Sequence, residues 1–144
     1  VIVDPKGTNW MKYAGADYIT PNLKEINAVL PDPIRNEDQP VETAARSVMK
    51  KYQLGSLIVT RSEAGLSLIC EGEIKHIPTK AQEVFDVSGA GDTVIAVFAM
   101  GIAGGIAPVA SAYLANLAAG VVVAKLGTYA VSREELLKAL EKEK

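Results

Sequence analysis

Between residues 93 and 124 the chain carries no charged side chain, and it enters that stretch through Asp86-Val87-Ser88-Gly89-Ala90-Gly91-Asp92-Thr93. A glycine-bearing loop that opens into Val94-Ile95-Ala96-Val97-Phe98-Ala99-Met100 places both glycines and Asp92 where a helix begins. The first turn of a helix leaves backbone N–H groups without intrahelical partners and carries the positive end of the dipole. Gly89 and Gly91 have no Cβ to hold an oxyanion away, so the loop is a candidate anion cradle. Asp92 stands in the same turn and sets a carboxylate beside the bound group. That pairing suits a general base that deprotonates a hydroxyl as it attacks a phosphoryl group. The competing reading is that Asp92 only complements the dipole and the glycines only make a tight turn.

A charge-free run of this length raises the question of a membrane span. It is rich in Ala and Gly, is cut by Gly104-Gly105-Ile106-Ala107-Pro108, and lacks flanking basic or aromatic anchors, so two buried helices are expected instead, about 90–103 and 108–125. The rest of the composition points the same way. The 144 residues are 49% hydrophobic and 22% charged with a net charge of −2. That is enough chain to bury roughly two thirds of its unfolded surface. No basic patch of the kind nucleic-acid binders need is present; Lys50-Lys51 reads as a solvated helix face. Cys70 is the single cysteine, which excludes an intrachain disulfide and fits a reducing cytoplasm. Val1 opens directly into a strand-like run with no charged leader before it, so a trimmed chain or a piece of a longer one is expected, cytoplasmic and without a membrane partner.

The first half reads as alternating strands and helices. Val1-Ile2-Val3 is a short strand closed by Asp4-Pro5-Lys6-Gly7, followed by a short helix over 9–14 and a strand over 17–20. Asn22 and Glu25 then form a capping-box pattern before Ile26, Val29 and Leu30. The same spacing sets both side chains at one helix mouth, where an acidic oxygen can hold water around Mg²⁺. Pro40 is expected to start the next helix, which presents Val41, Ala44, Ala45, Val48, Met49 and Tyr52 on one face and stops at Gly55. Ser56 to Thr60 is the clearest buried strand, and it empties into Arg61-Ser62-Glu63-Ala64-Gly65. Leu66 to Cys70 and Ile74 to Ile77 form a hairpin around Gly72, with His76 as a surface or structural residue. Ser132 and Glu135 cap a last helix over 133–142.

The order Asp86-x-x-Gly89-Ala90-Gly91-Asp92-Thr93 resembles the C-terminal motif of the ribokinase-like (phosphofructokinase B-type) carbohydrate kinases. The resemblance implies an α/β fold, the three-layer doubly wound sheet of that family, of which residues 1–144 would be the C-terminal, nucleotide-binding half of a single kinase domain. It implies that Gly89, Ala90 and Gly91 form the anion hole and that Asp92 is the catalytic base. It further implies that Asn22 and Glu25 organise phosphate and metal, that Asp86 helps to place a monovalent cation, and that Asn116 contacts the nucleotide while Gly127 helps to close the adenine pocket. The loop from Thr60 to Gly65 resembles the family's nucleotide loop, with Ser62 where the family usually has Gly. Within it Arg61 is either a bidentate phosphate partner or a surface charge.

Longer strings narrow the match. Val3-Asp4-Pro5-Lys6-Gly7, Thr20-Pro21-Asn22-Leu23, Val59-Thr60-Arg61-Ser62-Glu63, Gln82-Glu83-Val84-Phe85-Asp86-Val87 and Ala119-Gly120-Val121-Val122-Val123 are similar to the heptose 7-phosphate kinase branch. That branch implies ATP and Mg²⁺ as cofactors and O1 of D-glycero-β-D-manno-heptose 7-phosphate as the acceptor, on the route to ADP-heptose and lipopolysaccharide. The missing first half, or a second copy, would be a protein partner. The His-x-Gly-His motif of the nucleotidyltransferase that can accompany such kinases needs two histidines, and the chain has one. A P-loop kinase is excluded because no Gly-Lys-Ser/Thr occurs, and a Rossmann dehydrogenase because the glycine pattern lacks its third glycine and following acid. A nucleotide-binding or assembly module without chemistry of its own is the rival class.

Overall fold

In the computed structural model, which describes residues 1–80 and 83–144, the opening β-branched run forms strand β1 (Ile2–Val3) and pairs in parallel with β2 (Tyr18–Ile19). Between them, Trp10–Tyr13 makes a 3-10 turn, shorter than the helix expected over 9–14. After β2 come α1 (Leu23–Val29) and α2 (Asp38–Tyr52), which return the chain to β3 (Ser56–Thr60), parallel to β2. Strands β4 (Leu66–Cys70) and β5 (Glu73–Ile77) then add as antiparallel neighbours in the order β1-β2-β3-β4-β5. The hairpin turn is the two residues Glu71 and Gly72, with Cys70 opposite Glu73. Gln82, which opens one of the motif strings, lies outside the described residues.

The chain divides into two compact units, Val1–Pro78 and Thr79–Lys144. In the first, α1 and α2 lay their apolar faces on the sheet. Ile26 and Val29 of α1 and Val41, Ala44, Ala45, Val48 and Tyr52 of α2 are buried with Ile19, Leu57, Val59 and Ile69 of the strands. These helical positions recur at three- and four-residue spacing, so one stripe of each helix leaves water. Trp10 is fully buried in this cluster, its ring 6.0 Å from that of Tyr52, and its indole N–H donates to the Gly7 carbonyl.

Both limits of α2 differ from the sequence reading. Helix α2 begins at Asp38, so Pro40 is its third residue. N–H groups in the first turn have no intrahelical acceptor, and a residue without one fits there equally well. The helix is stopped by Gln53, which takes left-handed angles (φ 56°, ψ 48°) and donates its N–H to Met49 O. Gly55 serves another purpose: a Cβ there would lie 2.6 Å from the Asp17 carbonyl oxygen, so its hydrogen atom lets the two backbones approach.

The second unit consists of α3 (Ala90–Ala103), α4 (Pro108–Val123) and α5 (Arg133–Glu141). The charge-free stretch becomes α3 and α4, which touch where Gly101 meets Ser111; a Cβ on Gly101 would overlap the serine side chain. Among the described residues no helix is long and apolar enough to cross a membrane.

Candidate functional site

The loop that carries the Gly-Ala-Gly-Asp sequence leads into α3 as the residue pattern predicts. Gly89 is its N-cap in the left-handed region (φ 79°, ψ 0°), where a side chain would cost roughly 1–2 kcal/mol. The first intrahelical bond runs from Thr93 N–H to Gly89 O at 2.9 Å. The N–H groups of Gly91 and Asp92 therefore stand ahead of the helical ladder, available to an anion. That of Ala90 reaches Val87 O at 3.3 Å, a long bond that holds the turn. A Cβ built on Gly91 would meet nothing within 4 Å. No packing constraint requires glycine at that position, and the space it leaves open lies at the positive end of the helix. Asp92 is exposed in the same first turn.

A clasp sets the shape of the loop. Asp86 Oδ1 accepts the Ser88 N–H at 2.8 Å, and Asp86 Oδ2 accepts the Gly127 N–H at 3.1 Å. These bonds, those from Ser88 above all, hold the Asp86 carboxyl below the usual carboxylate range. The N–H groups of Phe85 and Asp86 both donate to Val123 O at the end of α4. Thr128 lies 3.8 Å from the Cβ position of Gly89. Within the second unit the structure thus brings Asp86, Gly89 and Gly127 together. Asn116 is 8% exposed on α4 among Ala112, Ala115 and Leu117.

The first unit gathers the other candidates at the ends of its parallel strands. Asn22 is bridged to Thr60, and Thr60 N–H donates to Pro21 O at 3.0 Å. The capping box is complete: Glu25 N–H donates to Asn22 Oδ1 and Asn22 N–H to Glu25 Oε2, both at 2.8 Å. Glu25 Oε1 also faces Lys6 Nζ at 3.5 Å, and Lys6 pairs with Asp4 at 2.9 Å. Glu25 is 22% exposed, so one edge of its carboxylate remains open. Among the described residues no group of three or more His, Cys, Asp or Glu is arranged to hold a metal.

Arg61 occupies a place that neither sequence reading anticipates. It is 2% exposed, so it is no surface charge, and its guanidinium is engaged by protein. Nε donates to Asn36 Oδ1 at 2.9 Å, while Nη1 donates to Asp38 Oδ1 at 2.6 Å and Ser67 Oγ at 2.9 Å. Asn36 Nδ2 returns a bond to the Arg61 carbonyl at 3.0 Å. His76 completes the network, with Nδ1 2.8 Å from Ser67 Oγ and Nε2 2.7 Å from Glu42 Oε1. A carboxylate only accepts, so Nε2 carries the proton. The bond from Arg61 holds the Asp38 carboxyl below its ordinary range. Nothing local in the sequence marks Asn36, Asp38 or Glu42; the alternation that pairs Ser67 with His76 across β4 and β5 is the one readable signal.

The loop itself, tied by Arg61 N–H to Gly65 O at 2.8 Å, places Ser62 at φ 52°. Glycine takes that angle without strain, which gives a physical reason for the usual glycine at this position. Ser62→Gly is expected to leave unfolding stability unchanged or to raise it by up to about 1 kcal/mol, read by urea titration. A loss beyond that range would show that the Ser62 side chain supports the loop.

These features have counterparts in known proteins. The family model described as pfkB family carbohydrate kinase matches residues 1–135. The bifunctional protein HldE of Trichlorobacter lovleyi is 51% identical over 144 residues, an alignment covering 99% of this chain and 29% of that protein. The chain therefore spans less than a third of the length of this relative. Among solved structures, ribokinase from Thermotoga maritima superposes with a TM-score of 0.84 at 30% identity, over 97% of this chain and 48% of the other. Arabidopsis thaliana ribokinase complexed with ribose and ATP does so with a TM-score of 0.78 at 25% identity, over 87% and 41%. A mixed five-stranded sheet of this order, an anion-ready helix start and a sequence matched along most of its length have one common origin: the chain belongs to the pfkB family of carbohydrate kinases.

Proposed function

We propose that this chain is the nucleotide-binding half of an ATP-dependent sugar kinase, a single domain's C-terminal portion that transfers the γ-phosphoryl group of Mg-ATP to a hydroxyl of a phosphosugar. The observation that carries the reading is the open space at Gly91 beside the free N–H groups of α3, with Asp92 in the same turn. Asp92 takes the proton of the attacking hydroxyl, and the backbone of Gly89, Ala90 and Gly91 receives the transferring oxygens. Asn22, Thr60, Gly65, Asn116 and Gly127 contact the nucleotide. Arg61 supports the loop from Thr60 to Gly65, since its guanidinium is engaged by Asn36, Asp38 and Ser67.

The donor set fits Mg²⁺ of the kind held mostly by water and phosphate. Glu25 offers one partly open carboxylate, and such ions keep several waters and take one or two protein carboxylates. When bound, the metal offsets charge on the phosphates. A monovalent cation beside Asp86 is part of the same proposal, through the remaining lone pairs of the two carboxylate oxygens that accept the Ser88 and Gly127 N–H groups. The acceptor we favour is O1 of D-glycero-β-D-manno-heptose 7-phosphate, on the strength of the five heptose-kinase-like strings.

One observation supports the rival reading of a binding or assembly module. Strand β1 ends the sheet order and Val1 is 79% exposed, an edge that presents backbone groups to a further strand. A calorimetric titration with Mg-ATP, followed by an ADP-release assay with heptose 7-phosphate, separates the two. Binding with sugar-dependent release supports the kinase; binding without it supports the module. In parallel, Gly91→Ala is expected to keep or raise Tm, because alanine favours a helix, while weakening Mg-ATP binding by about tenfold or more. Unchanged affinity in that variant would remove the cradle from nucleotide binding.

A further inference from the structure

Glu135 is known from the sequence only as the second half of a capping box, and the structure gives its carboxylate more to hold. Oε2 accepts the Ser132 N–H at 3.0 Å and completes the cap. Oε1 accepts the Tyr129 hydroxyl at 2.8 Å and faces Lys125 Nζ at 3.4 Å. Lys125 in turn lies over the Tyr129 ring, 5.2 Å from its centroid. Lys125 and Tyr129 flank the residues 126–128, and the middle one, Gly127, gives its N–H to Asp86. Gly127 takes a left-handed angle (φ 73°), so its N–H direction depends on how both ends of the segment are held. Asp86 passes the constraint on through Ser88 to Gly89, the N-cap of α3.

We propose that Glu135 is a positioning residue for the anion loop: by holding Lys125 and Tyr129 on either side of Gly127, it fixes the clasp on Asp86 and so the cradle at the start of α3. The inference rests on the nucleotide-binding reading of that cradle. All of its bonds lie within residues 85–135 of one unit. The carboxylate is well suited to the task, because it is 25% exposed and three donors from separate positions converge on it. The contacts of Oε1 with Tyr129 and Lys125 add nothing to the cap of α5, which Ser132 Oγ and Glu135 Oε2 complete.

Two substitutions probe the clamp while leaving the cap in place, Tyr129→Phe and Lys125→Met, with Ser132→Ala as the opposite case. Hydrogen exchange on the chain is expected to show the Gly127 and Ser88 amides exchanging about tenfold faster in the combined Tyr129→Phe and Lys125→Met variant, with the amides of Val97 and Phe98 unchanged. Mg-ATP affinity should fall about fivefold or more in the same variant. Ser132→Ala should speed exchange at the start of α5 and leave Gly127 and Ser88 as they were. Unchanged exchange at Gly127 and Ser88 in the combined variant overturns the proposal, as does equal loosening by Ser132→Ala. The exchange measurement needs no nucleotide. Failure of the unsubstituted chain to bind Mg-ATP would therefore defeat the kinase reading, while the exchange rates would still decide the clamp.

Discussion

In the complete kinase domain, Asp92→Asn is expected to lower sugar-dependent ADP release by roughly 10²–10⁴-fold while Mg-ATP affinity stays within about threefold. The two side chains have nearly the same size and both offer an oxygen acceptor in the first turn of α3, so the start of the helix should keep its shape. What the amide cannot do is accept the proton of the attacking hydroxyl. The loss should therefore fall on turnover and not on KM for ATP. Losing one negative charge beside bound phosphates works, if anything, toward tighter nucleotide binding. Turnover within a few-fold of the unsubstituted protein would take the role of base away from Asp92 and leave it as a complement to the helix dipole.

Arg61→Met should lower the unfolding free energy by about 3 kcal/mol, measured by urea titration at neutral pH. The guanidinium is 2% exposed and satisfies Asn36, Asp38 and Ser67 at once, from a loop, a helix and a strand. Methionine fills much of the volume but offers no donor, leaving the Asn36 amide oxygen without its partner and Asp38 without its counter-charge. Arg61→Lys should recover only part of the loss, since one ammonium cannot span the directions served by Nε and Nη1. The Asp38 carboxyl is held low by Arg61, so this pair contributes fully above the ordinary carboxylate range. Its contribution disappears as pH falls through the lowered value, and the gap between the unsubstituted protein and the Arg61→Met variant should narrow in acid. A difference below about 1 kcal/mol would reduce the network to the worth of a surface ion pair.

The helices and most strands are legible because their signals are short-range. The periodic apolar positions of α2, the two capping boxes, the run Ser56–Thr60 and the glycine-bearing entry to α3 each state their structure within about ten residues. Where sequence and structure differ, the local signal is ambiguous: Pro40 fits several first-turn positions, and Gly55 resembles a stop when its role is close approach to Asp17. Asn22 and Glu25 carry two readings, and the structure shows the capping geometry in full. Arg61 reads as a phosphate ligand or a surface charge because a loop arginine carries no local mark of burial.

By itself, then, the sequence determined the α/β alternation, the position of the glycine-bearing loop and its carboxylate at the start of α3, and the family motif, since each is written in consecutive residues whose spacing sets backbone geometry. The tertiary structure decided which polar groups serve as support. Arg61 meets Asn36 across 25 positions, and Asp86 meets Gly127 across 41. Such pairings depend on how the segments are folded back together, and a hydrogen bond acts over about 3 Å whatever the distance along the chain.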